Sequence, residues 1–345
     1  MTKNPKQPTM IDVAHLAGVS PMTVSRALKP NTSVSEATRS KIRAAADELG
    51  YVLDSTAAGL SSRRTGFIAV TIPSINNANF ADTLRGLTQV LRATNMQVLL
   101  GYTDYDVAEE ERLVEQFLRR RPEAIIVTGH AHTDRCRRML EKCGVPVIEM
   151  WDLPENPIGQ VVGFSNAQAA KLMVDHFVGQ GYRKIGFIGG DPSRDTRGQD
   201  RRQGFLAALE AHGLDTSRMI AAQRPPITMR EGAHSMRLML EKWPDIEALM
   251  CVSDLSAFGA MTECQRQGLR IPDDIAIGGF GAYDLAEQAL PPITTIDVSS
   301  ENIGRIAAQV IQNLLSSEAT KTSETIHRIE PKLLARDSSL RHTER

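Results

Sequence analysis

Near the amino end, the run Ser20-Pro21-Met22-Thr23-Val24-Ser25-Arg26 sets hydroxyls, a guanidinium and apolar side chains within seven residues, a mixture suited to a nucleic-acid groove. Arg26 can donate two hydrogen bonds to a guanine edge, Thr23 and Ser25 can reach phosphates or bases, and Pro21 and Met22 offer apolar contact such as that with a thymine methyl. Far along the chain, Arg201 stands in the polar run RGQDRRQ. In an enclosed cleft its guanidinium suits either a bidentate carboxylate or vicinal hydroxyls. His130, His132 and Asp134 share one short segment, but no third metal ligand adjoins them. The expectation is therefore a loop in which one histidine bonds a ligand hydroxyl and no metal is held. No G-x-G-x-x-G after a strand, P-loop, nucleophile elbow or pair of catalytic carboxylates is present, and the glycine-rich GFIGGDPS has neither phosphate-loop spacing. No catalytic residue and no cofactor are assigned, so the chain is expected to bind rather than to catalyse.

The groove-reading run needs a rigid carrier, and the first sixty residues supply three short helical patterns with very little chain between them. Thr9 and Asp12 make a capping-box pair ahead of Ile11, Val13 and Ala14. Ser20 followed by Pro21 is a good N-cap before the best first-turn residue, and the helix it opens runs through Val24 and Leu28. Ser35 opens a third helix, in which Ile42, Ala45, Ala46 and Leu49 recur at helical spacing and Gly50 can end it. With Gly18 in the tight turn, the first two helices form a helix-turn-helix whose second member would lie in a DNA major groove.

Charge agrees with that division. Residues 1 to 64 hold nine Lys or Arg and five Asp or Glu, a surplus of +4, so the overall −1 leaves −5 on the remainder. A basic head on an acidic body fits a phosphate-binding module joined to a sensor. At 345 residues, with 41% hydrophobic and 23% charged, the chain is long enough for two or three ordinary cores. No run approaches a membrane span, and the polar start MTKNPKQPTM lacks the apolar core of a signal peptide, so a cytoplasmic protein is expected. Cys136, Cys143, Cys251 and Cys264 are far apart without a C-x-x-C pair and read as reduced.

From Gly66 onward the apolar runs FIAVTI, MQVLLGY, AIIVTG, VPVIEM, KIGFIGG, ALMCVS and IAIGGF alternate with amphipathic stretches. Such alternation over this length predicts an α/β body of two doubly wound parallel sheets.

The segment IDVAHLAGVSPMTVSRALKPNTSVSEATRSKIRAAADELGY resembles the headpiece of the lactose-repressor (LacI) family. The resemblance implies that Pro21, Met22 and Arg26 read bases and that Thr9, Ser20, Thr23, Ser25 and Thr38 hold the DNA backbone. STAAGLSS is similar to the family's hinge helix, which implies that Ala57 packs on its symmetry mate and that Leu60 wedges into the minor groove. Just before it, Val52-Leu53-Asp54 replaces the frequent Pro-Asn, a less rigid entry that carries an acid near DNA. In the body, TGHAHT, GYRKIGFIGG, RRQGFLAAL and LPPITTID match family landmarks. They imply a fold similar to that of periplasmic sugar-binding proteins. The headpiece and hinge helix would occupy residues 1–64, an N-subdomain 65–162 with 293–325, and a C-subdomain 163–292 with 326–340. Crossovers are expected near Val162, Pro291-Pro292 and Ile326.

Two facing lobes of that kind make a cleft at the carboxyl ends of their strands. The candidates are Ser74, Asn79 and Phe80 after FIAVTI, with Pro73 and Asn76 beside them, and His130 after AIIVTG. Glu149 and Trp151 end VPVIEM, Phe164 ends the next strand, Ser253 and Asp254 follow ALMCVS, and Gly281 and Tyr283 follow IAIGGF. Arg201 corresponds to the family's effector-binding arginine. Many sugar-binding members carry aspartate where this chain has Gly281. Loss of that carboxylate favours an acidic ligand, and EMWD and VVGFSN resemble the gluconate-responsive branch. The expectation is a repressor of sugar-acid catabolism, a homodimer released from a palindromic operator by a gluconate-type effector. A sugar or sugar phosphate acting as corepressor or activator stays open. The chain ends in ARDSSLRHTER without a leucine heptad, so a dimer is expected in place of a tetramer.

Overall fold

The structure, a computed structural model, describes residues 7–28, 33–52, 65–190, 194–222, 225–316 and 325–341. It forms two compact units, Met1–Thr65 and Gly66–Arg345. The hinge-helix residues Ala57 and Leu60 lie outside the described residues.

In the first unit, helices α1 (Met10–Ala17), α2 (Pro21–Ala27) and α3 (Glu36–Leu49) follow one another as the caps direct. The Thr9 hydroxyl accepts from the Asp12 amide while the Asp12 carboxylate accepts from Thr9 N at 2.8 Å, closing the capping box. Gly18, at φ +63°, ends α1 in the left-handed region and turns the chain within three residues to Pro21. Val13, Ala14, Ala17, Val24, Ala27, Ile42, Ala45 and Ala46 close a small core. Small side chains let three short helices approach closely, and the Arg39 guanidinium donates to the Ala27 carbonyl, binding α3 to the end of α2.

The second unit contains two parallel sheets. The first runs in the order β11-β5-β4-β3-β1-β2, with β1 Phe67–Ile72, β2 Gln97–Tyr102, β3 Ala124–Thr128, β4 Val147–Met150, β5 Gln160–Gly163 and β11 Ile326–Arg328. The second has the order β7-β6-β8-β9, from Met219–Ala221, Ile185–Gly189, Ala248–Cys251 and Ala276–Gly278. A two-stranded antiparallel ribbon of β10 (Thr295–Asp297) and β12 (Lys332–Leu334) joins the lobes. Its neighbour Thr294 bridges to Gly278 of the second sheet.

Helix Ser300–Leu315 returns to the first lobe and lies on helix Ala78–Leu91 through facing glycines. A Cβ on Gly304 would come 1.9 Å from the Thr83 carbonyl, and one on Gly86 2.0 Å from that of Glu301, so larger residues would force the helices apart. One boundary expected from the sequence is corrected. Ile326–Arg328 does not begin the C-subdomain portion but pairs with β5, His327 opposite Val162. The third crossover therefore follows Arg328, because the edge of the first sheet is completed before the chain leaves it. No helix among the described residues is long and apolar enough to cross a membrane.

Candidate DNA-binding and effector sites

Helix α2 turns Val24 and Ala27 into the core and leaves its other face outward. Ser20 Oγ accepts from Thr23 N at 3.2 Å and lies 2.9 Å from Thr23 Oγ1, so both hydroxyls are held at the helix start. Pro21, Met22 and Arg26 are exposed, with Met22 at 64%. Met22 and Arg26 are four residues apart and share a face, opposite the core residues Val24 and Ala27. Thr9 and Ser20 are exposed at the amino ends of α1 and α2, where unpaired backbone N–H groups favour phosphate. Thr23 and Ser25 are half-buried. Thr38 is also half-buried, in the first turn of α3, where its amide donates to the Ser35 hydroxyl at 3.3 Å. An exposed methionine beside an arginine on a short, well-capped helix offers an apolar and a hydrogen-bonding contact on one face, the pair of contacts a DNA major groove can take.

The interlobe cavity has a free volume of about 50 Å³. Its walls include Asn79, Phe80, Trp151, Arg201 and Ser253, joined by Asn77, Tyr105, Asp195, Arg197 and Tyr283. Arg201 is the most constrained. Its Nη1 donates to Asn166 Oδ1 at 2.6 Å, its guanidinium lies 4.4 Å from the centre of the Phe280 ring, and Asp195 Oδ2 is 3.9 Å from Nη2. Nε has no partner although it is buried. Burial lowers the pKa of this guanidinium, with Asp195 opposing. Trp151 is held at φ +75° between Phe80 and Phe164, ring centres 5.1 and 5.8 Å away, and its buried Nε1 also lacks a partner. A buried polar atom without a hydrogen bond costs roughly 1–3 kcal/mol, and two of the residues lining this cavity carry one each. Three further links tie the lobes. The Tyr283 hydroxyl donates to Asn77 Oδ1 at 2.7 Å, Arg197 Nη1 to the Thr128 carbonyl at 3.3 Å, and Arg194 Nη2 to the Asp104 carbonyl at 3.2 Å.

Six expected effector residues do not line this cavity. Phe164 supports two of its wall residues, edge-on to Trp151 and tilted against Phe280. Asp254 is fully buried, accepting from Tyr283 N at 2.8 Å and Thr295 Oγ1 at 2.6 Å, and burial lifts its pKa to about 6. It orients the Tyr283 loop. Ser74 accepts from the Asn76 amide at 3.2 Å and shapes the turn after β1.

Glu149 lies on the sheet face opposite the core residues Ile148 and Met150 and does not reach the cavity, which lies beyond the strand's end at Trp151. Its carboxylate accepts from Ile158 N at 2.6 Å and stands 3.9 Å from His132 Nε2, while His132 Nδ1 is 2.6 Å from Glu110 Oε2. Burial pulls the His132 pKa down, but the hydrogen bond to Glu110 and the nearby charge of Glu149 outweigh it and hold it at about 9. Gly281 adjoins the cavity without forming its wall, and its reason is steric. At φ +123°, a Cβ would meet Tyr283 Cε1 at 2.5 Å and Asn79 Nδ2 at 2.6 Å, so any side chain there strains the backbone and has to displace both neighbours. His130 is at a separate opening, its Nδ1 against Asp152 Oδ2.

Of the residues not foreseen, Arg197 had a usable signal, four positions before Arg201 and thus on the same helix face. It lies 5.8 Å from the Phe80 ring and 5.9 Å from the Tyr105 ring. Tyr105 follows β2, an edge strand, with its backbone at φ +57°. Nothing local announces that turn.

A helix-turn-helix with a groove-reading face, and a two-lobed body with a polar cavity between its sheets, define a DNA-binding transcriptional regulator with a small-molecule sensor. The match to known proteins is dense. Residues 9–54 fit the family of bacterial regulatory proteins, lacI family, and residues 174–339 the periplasmic binding protein-like domain. The HTH-type transcriptional regulator GntR of Pseudomonas aeruginosa is 34% identical over 98% of this chain and 99% of its own length. The regulator of the same name from Escherichia coli K12 is 34% identical over 88% of this chain and 91% of its own. A crystal structure of a LacI-family transcriptional regulator from Silicibacter pomeroyi superposes with a TM-score of 0.91 at 35% identity, covering 97% of this chain and all of that one. The chain belongs to the LacI family of bacterial regulators, which bind operator DNA and small-molecule effectors.

Proposed function

We propose that this regulator is a cytoplasmic repressor of sugar-acid catabolism genes, released from a near-palindromic operator when a gluconate-type acid enters the interlobe cavity. The observation that carries the reading is Arg201, buried in the cavity wall with its Nε unpaired. Arg197 and Arg201 against Asp195 leave one net positive charge on the wall, and a carboxylate is the partner that complements a buried guanidinium best. The indole Nε1 of Trp151 and the amides of Asn77 and Asn79 suit the hydroxyls of an aldonate chain. At roughly 10–15 Å³ for each water, the present cavity holds only a few, so the acid has to separate Tyr283 from Asn77 and Arg197 from Thr128 to enter. Ligand occupancy and lobe arrangement are then one equilibrium.

On the DNA side, Pro21, Met22 and Arg26 read base edges while Thr9, Ser20, Thr23, Ser25 and Thr38 hold phosphates; Ala57 and Leu60 keep their hinge roles as expectations. The operator's two halves require two headpieces. The groove between helices Met229–Lys242 and Asp254–Arg266 suits a second copy of the chain. Met229 and Leu238 are exposed apolar residues there beside Phe258, and Arg230, Glu231, Arg237 and Arg266 mix both charges on one self-complementary patch.

The test is calorimetric titration of sodium D-gluconate and neutral D-glucose into the full chain, with and without an operator duplex. Gluconate is expected to bind, glucose to give no heat, and operator to weaken gluconate by the factor by which gluconate weakens operator. Equal gluconate affinity in the two states sinks the release mechanism. Arg201→Ala is expected to abolish gluconate binding and leave operator affinity intact; binding retained by this variant removes the cavity assignment.

A further inference from the structure

At the opening beside the effector cavity, three metal-binding side chains meet that lie far apart in the chain. His130 follows β3, Asp152 follows β4, and Asp200 comes from the second lobe on helix Thr196–Ala211. One ligand atom from each lies within 4.8 Å of the other two. From sequence, His130 had no third ligand near it; the fold supplies two carboxylates. We infer that His130, Asp152 and Asp200 form a divalent transition-metal site that clamps the two lobes together.

The chemistry of the donors points that way. An imidazole nitrogen with two carboxylate oxygens suits ions such as Zn²⁺ or Mn²⁺. The positions left open face a cavity of about 500 Å³ that also reaches Glu155, Asn166 and Gln203, which gives an entry path and room for bound water. The electrostatics are unfinished without a cation. Asp152 is buried, and its Oδ1 accepts from Leu153 N at 2.9 Å, an arrangement that fixes the carboxylate. Asp200 is half-buried and has no hydrogen-bond or ion-pair partner among the described residues. Two carboxylates from opposite lobes facing one another repel unless a positive charge stands between them. His130, with its Nδ1 against Asp152, offsets part of that repulsion, as do the charges of Arg197 and Arg201 on the side of Asp200.

An ion bound to all three donors joins the lobes at a point outside the effector cavity and favours whichever lobe arrangement keeps Asp200 near His130. Metal and effector then act on one equilibrium from two sites. The site uses no residue of the proposed gluconate contacts, so it stands whether or not that ligand is right.

The experiment uses the full chain without an affinity tag, stripped with a chelator and dialysed, and titrated calorimetrically with zinc chloride and manganese chloride. One ion per chain is expected, with a rise in melting temperature. Asp200→Asn and His130→Gln, each near-isosteric, are expected to lower affinity at least about tenfold and to remove the thermal shift. Cys136→Ser, which alters the separate buried group Glu110, His132 and Cys136, is expected to leave both unchanged. Failure of either metal to bind overturns the inference, as does wild-type affinity in both Asp200→Asn and His130→Gln. Loss of binding in Cys136→Ser alone moves the ion to the buried group and overturns it equally.

Discussion

The headpiece and the effector cavity differ in how far apart their working parts lie in the chain. Every described side chain of the DNA-reading face comes from Thr9 to Thr38, on helices whose starts are set by Thr9, Ser20 and Ser35 within three residues of what they cap. The cavity draws on segments after seven strands, from Asn76 to Tyr283, and the glycine beside it, Gly281, is crowded by Asn79 about two hundred positions away as well as by Tyr283. A site built from local interactions can be read from spacing. One assembled by sheet topology exposes its strand ends to reading but not which of their side chains face inward.

The hardest way to break that contrast is to destroy the head's function from the body. Phe258→Arg puts a charge into the groove proposed for the second copy, more than two hundred residues from Arg26. The expected result is a monomer by sedimentation velocity, with operator affinity reduced roughly 10²–10⁴-fold because the second headpiece no longer binds as part of the same molecule. A variant that stays dimeric with unchanged operator affinity moves the interface elsewhere.

A smaller effect is expected from the head itself. Arg26→Ala should lower affinity for a specific operator by about 1–3 kcal/mol and relax preference at one base pair, measured by fluorescence anisotropy against single-substitution duplexes. Gluconate binding to the isolated variant should be unchanged. If affinity falls equally on all sequences, Arg26 contacts phosphate and not a base.

The His132 cluster shows why part of the body was illegible. Alternation along VIEM places Glu149 on one sheet face and Met150 on the other, yet the strand's sequence does not say that both faces are covered and that the cavity begins only at Trp151. The acid was therefore expected in the cleft. Its carboxylate instead accepts from Ile158 N and faces His132, 17 residues away, whose other nitrogen meets Glu110. The cluster has a pH signature. With its pKa held at about 9 against an ordinary 6.5, His132 binds its proton more tightly in the folded state. Its contribution to stability is complete below about pH 6.5 and fades as pH rises through 9. Urea unfolding of the body at pH 6, 7.5 and 9 should show that decline, and His132→Gln should flatten it. A decline of the same size in the variant assigns the effect to other groups.

The alternation of strands and helices, the three headpiece helices and their caps, and the strand ends that bound the cavity were all legible, because each depends on spacings of two to four residues. The placement of Ile326–Arg328 was not. A three-residue strand at a sheet edge carries almost no pattern, and only its pairing with Gln160–Gly163 assigns it to the first lobe. Tyr105 and Asp200 were missed for the same reason: what matters about each is a neighbour on another element.

The smallest predicted effect tests the local half of the contrast most directly. Ser35 touches no residue of the reading face except through Thr38, whose amide it caps at 3.3 Å. Replacing its hydroxyl by hydrogen in Ser35→Ala should cost about 1 kcal/mol. Spread over a unit of some sixty residues, that loss shifts melting by roughly 4–8 °C, whereas the same energy in the body, with more than four times the chain, moves its transition far less. If the headpiece folds on its own local interactions, scanning calorimetry of the full chain should show a small early transition lowered by that amount, with the main transition in place. A single transition that shifts as a whole would mean that the two units melt together, and that the headpiece, however local its caps, depends on the body for its stability.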